Sequence, residues 1–479
     1  MKIIVKYFSE IFVKSRPVRR KMVQTLQENV EIALHDYLSE IKIKSSWANM
    51  SISFDETNVD KEGILSMLEK IAGIHFFLPA YEYPFVDFED TLNKIIQHCE
   101  TEIEGKRFCV RVKRSGKHDF KSTDLERFLG GGLLRKIKNT RVDLHHPEKT
   151  VIVEIQNEKL YVVEKRIPGR MGFPIGTQGK VLSLISGGFD SCVSSYLMMN
   201  KGCKVDYLFF NLGGNDHEKG VKEIVKYLSD NFSHGYHGNI FCVPFNDVVE
   251  ELHRHVHPRY HGVVLKRMMI RMAEKVQLKH HHEAIVTGES LAQVASQTLT
   301  NLAVIQQVAT QLIMRPVLAM QKEEIIHVTQ KIDTEKFSRV IPEYCGISSH
   351  KPSTKANLER ILEEEEKFDM SILDELLEET QKQSIKNMTI EYFNIPLVSE
   401  IQETDNVIDI HENEQHVYPF GDNIKVEKIA FIDLLEQFPK LPQDKNYIFY
   451  CEKGQRSKHY AEVLSKQGFE NIKVFEKSL

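Results

Sequence analysis

The residues 186–191 read Ser186-Gly187-Gly188-Phe189-Asp190-Ser191, after an apolar run that includes Leu184 and Ile185 and before an apolar-periodic segment. Gly187 and Gly188 let backbone N–H groups approach an anion. Ser186 and Ser191 add hydroxyl donors, and the next helix adds its N-terminus. That combination suits phosphate. It is not a P-loop, whose G-x-x-x-x-G-K-[ST] carries a lysine to the terminal phosphates. The nearby "GFPIGTQGKV" has Pro174 in place of the first glycine and Val181 in place of Ser/Thr. Asp190 is foreign to an all-donor anion site unless it serves a metal or a turn. The plain alternative is a structural strand–helix turn.

A second chemistry is carried by sulfur. In "YCEKGQRS", Cys451 is followed by Gly454, Arg456 and Ser457, between a predicted strand and a predicted helix. Backbone N–H groups at a helix start, with an arginine alongside, stabilise a thiolate or a persulfide anion. A buried strand-end thiol is the alternative. Cys345, in "IPEYCGISSHKPS", lies in a loop among Pro342, Gly346 and Pro352. Cys99, Cys109, Cys192, Cys203 and Cys242 fall in apolar segments and read as packing. The histidines 253, 255, 257, 261 and 280–282 lack cysteine or carboxylate spacing and lie away from strand ends, so no metal site is expected.

These residues need elements to hold them. From residue 181, apolar strands alternate with amphipathic helices, which implies a parallel sheet covered on both faces with ligands at the strands' carboxyl ends. The pattern restarts on a small scale beyond residue 398, over about 80 residues, enough for a separate α/β unit. Phe108, Val110 and Val112 alternate with Cys109, Arg111 and Lys113 as a half-buried strand. A helix is expected to enter at Ser122/Thr123 with Glu126 completing a capping box. The acidic run 363–379 reads as a helix in a connector.

Composition sets bounds. The 479 residues allow several domains, and 41% hydrophobic with 27% charged residues is ordinary for a globular protein. A net charge of −5 excludes a uniformly basic nucleic-acid binder. Yet residues 106–141 hold twelve Lys/Arg against three Asp/Glu, a candidate phosphate-backbone face through Arg111, Lys113, Arg114 and Lys117. A solvated charged strand is the alternative. Seven cysteines without C-x-x-C, no signal-like N-terminus and no apolar run of membrane length point to a reducing cytoplasm.

The Ser-Gly-Gly-x-Asp-Ser loop resembles the pyrophosphatase loop of enzymes that cleave ATP between the α and β phosphates, and C-x-x-G-x-R-S resembles the active loop of rhodanese domains. Together with "FCVRVKRSGKHDF", "LGGGLL", "TGESLAQVASQTLTNL" and "PEYCG", the chain resembles the tRNA uracil 4-sulfurtransferase, or 4-thiouridine synthetase, family throughout. The resemblance implies an α/β multidomain chain. Its units are a ferredoxin-like domain over 1–60, a THUMP RNA-binding domain over 61–166, an adenylation domain over 167–395 and a rhodanese-like domain over 399–479.

It further implies ATP with Mg²⁺, held by Leu184, Ile185, the Ser186–Ser191 loop, Lys266, Gly288 and Gln297. Asp190 and Lys322 would be needed for adenylation, Cys451 would carry the persulfide, and Cys345 would be its disulfide partner. The reaction implied is sulfur transfer to C4 of uridine 8 in tRNA. The implied partners are tRNA, a cysteine desulfurase as donor, a reductant, and the sulfur-carrier protein of the thiamine thiazole pathway. One departure is Asp409-Ile410-His411, where the family's first rhodanese strand often ends Asp-x-Arg. An amide synthetase on the same loop would need a glutaminase nucleophile, for which no N-terminal cysteine or G-x-S-x-G is present. An RNA-binding sulfur carrier would leave the glycine loop unexplained.

Overall fold

The computed structural model describes residues 1–57, 59–212, 214–339, 341, 351–390, 395–403, 405–410, 418, 420, 424–451 and 455–475. The first 168 residues build one nine-stranded sheet. Its spine is the strand Ile74–Pro84, long enough to pair with Lys2–Tyr7 on one edge and with Lys159–Val163 on the other. Core packing carries the first unit beyond residue 60. The helix Lys61–Glu69 places Ile64, Leu65 and Leu68 in the same core as Ile3, Val5 and Ile52. A second core forms around Phe108, Val110, Val112, Leu125 and Leu129. The strand Arg107–Ser115 alternates as its sequence predicts, with Arg111 and Lys113 exposed, though Cys109 is buried as well.

The helix after that strand runs Ser122–Lys136 and is capped differently from the expectation. Asp124 Oδ2 accepts from the Lys121 N–H at 2.8 Å. Glu126 instead reaches across and accepts from the Val112 N–H at 2.8 Å, satisfying a strand donor.

The central sheet has the order Ile313–Met314, Ala284–Val286, Lys180–Leu184, Lys204–Asn211, Asn239–Pro244, Gln381–Ser384. All neighbours are parallel except the last pair. Successive residues of Lys180–Leu184 face opposite cores: Val181 packs with Val205 and Ile224, and Leu182 with Met268 and Val264. Burial on both faces is why these strands read as continuous apolar runs. The chain leaves Lys180–Leu184 towards one side and returns later to its other side. This reversal of strand order puts a topological switch point at the glycine loop.

At the opposite, amino end of the sheet, buried Asp206 accepts from His282 Nε2 at 3.0 Å, Lys180 Nζ at 2.9 Å, Tyr236 Oη at 2.7 Å and the Asn239 N–H at 2.8 Å. Burial alone would raise this carboxyl, but the four donors outweigh it and hold it below the ordinary carboxylate range. His282 thus meets a carboxylate 76 residues away, beyond the reach of any local spacing.

The acidic segment is not a connector. Helices Leu358–Glu365 and Ile372–Glu379 bury Ile361, Phe368, Leu373 and Leu376 in the central core. Buried Glu365 receives Arg267 Nε at 2.6 Å and Arg271 Nη1 at 2.8 Å. The chain then adds the antiparallel edge strand Gln381–Ser384, and Met388 still belongs to the central core. Ile395 packs into the next one.

That last unit is a five-stranded parallel sheet in the order Leu397–Val398, Ile472–Phe475, Tyr447–Tyr450, Asn406–Asp409, Val426–Lys428. Its core, including Ile408, Leu434, Phe438, Phe449 and Leu464, is its own. No helix among the described residues is long and apolar enough to cross a membrane.

Candidate active site

The glycine loop joins Lys180–Leu184 to the helix Phe189–Asn200, with Gly188 as N-cap. Gly187 has φ +86°, a conformation L side chains rarely adopt, and Ile341 covers it: an added Cβ would stand 2.6 Å from Ile341 Cδ1. Ser191 Oγ donates to the Gly188 carbonyl at 2.9 Å and accepts from the Ser186 N–H at 3.3 Å. This hydroxyl therefore braces the loop from within. Gly188 N–H lies 3.4 Å from Ser186 Oγ. His217, its protonation disfavoured by burial, places Nε2 3.1 Å from the Ser186 carbonyl.

Asp190 meets Lys322, the first residue of the helix Lys322–Lys331, with Nζ 3.0 Å from Oδ1 and 3.2 Å from Oδ2. Gln293 Nε2 donates to Oδ2 at 3.1 Å. The carboxylate that looked foreign in an anion loop is thus neutralised by a cation 132 residues away. Gly288, just past Ala284–Val286, lets that strand end approach the loop: a Cβ there would lie 2.7 Å from the Ser191 nitrogen.

Gln297 is 9% exposed, and its Oε1 is buried without a hydrogen bond among the described residues. Leu184 is half-buried and Ile185 buried, both at the strand end. Lys266 lies half-buried on the helix His261–Lys279 and forms no ion pair among the described residues. Gln293 and Ile341 escaped the sequence reading. Gln293 stands in "TGESLAQVASQ", between Gly288 and Gln297, so the segment was visible but not which of its side chains turns to Asp190.

Cys345 lies outside the described residues. The chain on both sides of it is anchored at the site. Ile341 covers Gly187, and beyond the segment the Asn301 side chain donates to the Ser353 carbonyl at 2.8 Å and accepts from the Ala356 N–H at 2.9 Å.

Cys451 follows the strand Tyr447–Tyr450 and is buried. Its Sγ accepts from Ser457 Oγ at 2.9 Å and from the Ser457 N–H at 3.3 Å, at the start of the helix Gln455–Lys466. Gly454 and His411 lie outside the described residues, and Arg456 falls in the first turn of that helix. On the neighbouring strand, Asp409 Oδ2 accepts from Tyr418 Oη at 2.9 Å. Four of the remaining cysteines are held in the unreactive thiol form by burial. Burial pushes Cys99 and Cys203 up to about 11, and Cys192 and Cys242 up to about 12.

On the basic strand Arg107–Ser115, Lys113 is exposed, as is the neighbouring Lys117. Arg111 Nη2 donates to the Leu144 carbonyl at 3.0 Å. Arg114 donates to the His118 carbonyl at 3.1 Å and lies over the Phe120 ring.

A glycine-rich anion loop at the switch point of a parallel sheet, a separate sheet with a thiol held by donors at a helix start, and an extended N-terminal sheet define a multidomain nucleotide-dependent sulfur-handling protein. Family models agree along the chain: the ferredoxin-like domain of the thiamine biosynthesis protein ThiI matches residues 2–77, and a THUMP domain matches 86–163. The thiamine biosynthesis protein (ThiI) model matches 176–370, and a rhodanese-like domain matches 398–479. Proteins named tRNA sulfurtransferase from Shigella boydii and Escherichia coli are each 42% identical over 481 aligned residues, covering 99% of this chain and 100% of theirs. A solved 4-thiouridine synthetase in complex with RNA and ATP is 27% identical with a TM-score of 0.71, over 80% of this chain and 99% of that one. A Pyrococcus horikoshii protein shares the fold, with a TM-score of 0.55 at 20% identity over 70% of this chain and all of that one. The chain belongs to the tRNA sulfurtransferase family.

Proposed function

We propose that this protein transfers sulfur to C4 of uridine 8 in tRNA, using ATP to activate the carbonyl oxygen. The observation that carries the reading is the Asp190–Lys322 pair at 3.0 Å on the glycine loop, in a chain that also holds a donor-braced thiol on its own domain. The uridine C4 carbonyl is a poor electrophile and its oxygen a poor leaving group. Attack of that oxygen on the α-phosphorus of ATP expels pyrophosphate and makes the oxygen part of a good leaving group, AMP. N–H groups of the Ser186–Ser191 loop and Lys322 offset the charge that develops on the pyrophosphate. The unpaired Gln297 Oε1 offers an acceptor for an exocyclic amino group such as adenine's. Mg²⁺ would arrive on the triphosphate, with Asp190 as the carboxylate of the loop that faces it.

The terminal sulfur of a Cys451 persulfide then bonds to C4 as AMP leaves. Attack of the Cys345 thiolate on the Cys451 sulfur breaks the S–S bond, leaves 4-thiouridine and forms a Cys345–Cys451 disulfide. A thiol reductant restores both cysteines, and a cysteine desulfurase reloads Cys451. The same persulfide can serve the sulfur-carrier protein of thiazole synthesis. The domains implied, ferredoxin-like, THUMP, adenylation and rhodanese-like, divide these tasks. The decisive experiment measures AMP release with and without unmodified tRNA. Release that depends on tRNA, with 4-thiouridine formed once Cys451 is loaded, is expected; AMP release indifferent to tRNA would overturn the assignment.

A further inference from the structure

A groove of about 530 Å³ opens on the N-terminal unit, far in sequence from the THUMP strand, and no step above uses it. Its walls are the helix Arg16–Ala33, contributing Arg20, Gln24, Gln27, Glu28 and Glu31, and the turn between Ile41–Ser45 and Met50–Phe54, contributing Trp47. Three features set its chemistry.

The first is a cationic mouth. Residues 14–21 hold five Lys/Arg and no acid. Lys14, Arg16, Arg20 and Lys21 are exposed and form no ion pair among the described residues. The second is an aromatic wall. Trp47 is 53% exposed, and the chain has no other tryptophan. One face of its ring is fixed by the buried Arg19, whose guanidinium carbon lies 3.8 Å from the ring centroid, and Arg19 Nη2 donates to the Trp47 carbonyl at 2.5 Å. The ring is therefore held in place while much of it meets solvent. The third is an acceptor-rich floor. Gln24 and Gln27 donate to Glu28 and Glu31 at 3.1 and 2.8 Å, which orients these side chains and leaves carboxylate and amide oxygens to receive donors.

Resting on the RNA-modifying function proposed above, we infer that this groove takes an unpaired nucleotide of the RNA substrate. The base stacks on Trp47, its exocyclic amino group donates to the Glu28/Glu31 floor, and the flanking phosphates meet Arg16, Arg20 and Lys21. Stacking on a fixed aromatic ring beside a positive track is how proteins hold single strands. Inside a duplex both faces of a base are covered by its neighbours, so an internal paired base has none to offer an indole. An acceptor floor favours adenine, cytosine or guanine over uracil, which has no amino group.

Because Trp47 is the sole tryptophan, its emission reports on this groove alone. The full-length protein is titrated with a short oligo(A), an oligo(U), an RNA duplex and unmodified tRNA, while AMP release is followed on the same sample. Saturable quenching by tRNA and oligo(A), weaker with oligo(U), absent with duplex and diminished by salt, is expected. Arg20→Glu with Lys21→Glu should weaken oligo(A) binding about tenfold while the emission of the free protein stays as in the parent, showing an intact groove. Emission unchanged at tRNA concentrations that saturate AMP release overturns the groove and leaves the sulfurtransferase reading standing. A response to an acidic peptide but not to RNA also overturns it, as a protein-docking surface. Quenching by oligo(A) without tRNA-dependent AMP release supports the groove while refuting the proposed reaction.

Discussion

Asp190 and Lys322 neutralise one another, so for Lys322 to meet a phosphate this pair must open. The side chains are 21% and 37% exposed, enough for the pair to open without a buried charge being stranded. Each residue alone would leave the other's charge uncompensated at the phosphates. Lys322→Met and Asp190→Asn should therefore each lower tRNA-dependent AMP release by about 10²–10³-fold, the usual cost of losing one transition-state donor. The double variant should be little worse than either, since the two act as a unit. Filter binding of tRNA should stay near the parent value in all three, because the basic strand belongs to another sheet. Losses that multiply in the double variant would mean the residues act independently.

At the scale of elements, what could be read in advance depended on whether the information was local. The strands 180–184, 204–211 and 239–244 were visible because double-sided burial writes an apolar run. The acidic helices were misread because their charges hide Ile361, Phe368, Leu373 and Leu376, and because the partners of Glu365, Arg267 and Arg271, lie 98 and 94 residues away. Likewise, Glu126 looked like a capping acid until its strand partner was in place. Glu365→Gln tests the corrected role. It leaves Arg267, only 2% exposed, without its counter-charge, and should cost about 3–5 kcal/mol, seen as a lowered urea midpoint. A change under about 1 kcal/mol would return the segment to surface status.

The basic strand invites a similar refinement. Arg111 and Arg114 already hold carbonyl groups, so Lys113 and Lys117 are the freer phosphate partners. Replacing both by Ala should reduce the log–log salt slope of tRNA binding by about 0.7–0.9 per lysine. An unchanged slope would make them solvated side chains.

For the whole molecule, the question is how one thiol serves a site on another domain. A disulfide between Cys345 and Cys451 needs Cα atoms within roughly 4.4–6.8 Å. The flanks of Cys345 are fixed at the glycine loop and at Asn301, whereas Cys451 belongs to a unit with a core of its own. The chain is packed into the central domain as far as Ile390, and Ile395 already packs into the last unit, so the acidic helices are not the link between the two cores. Cys345→Ser should accept sulfur at Cys451 and adenylate tRNA, yet release little 4-thiouridine unless an added thiol breaks the S–S bond to Cys451. Cys451→Ser should adenylate tRNA and transfer no sulfur. Loading the protein with labelled sulfur, adding ATP and tRNA, and mapping disulfides by mass spectrometry reads both outcomes. Absence of a Cys345–Cys451 disulfide in the parent after a turnover, with Cys345→Ser matching the parent's rate and yield under the same limiting reductant, would exclude the pairing and leave release of sulfur from Cys451 to an external thiol.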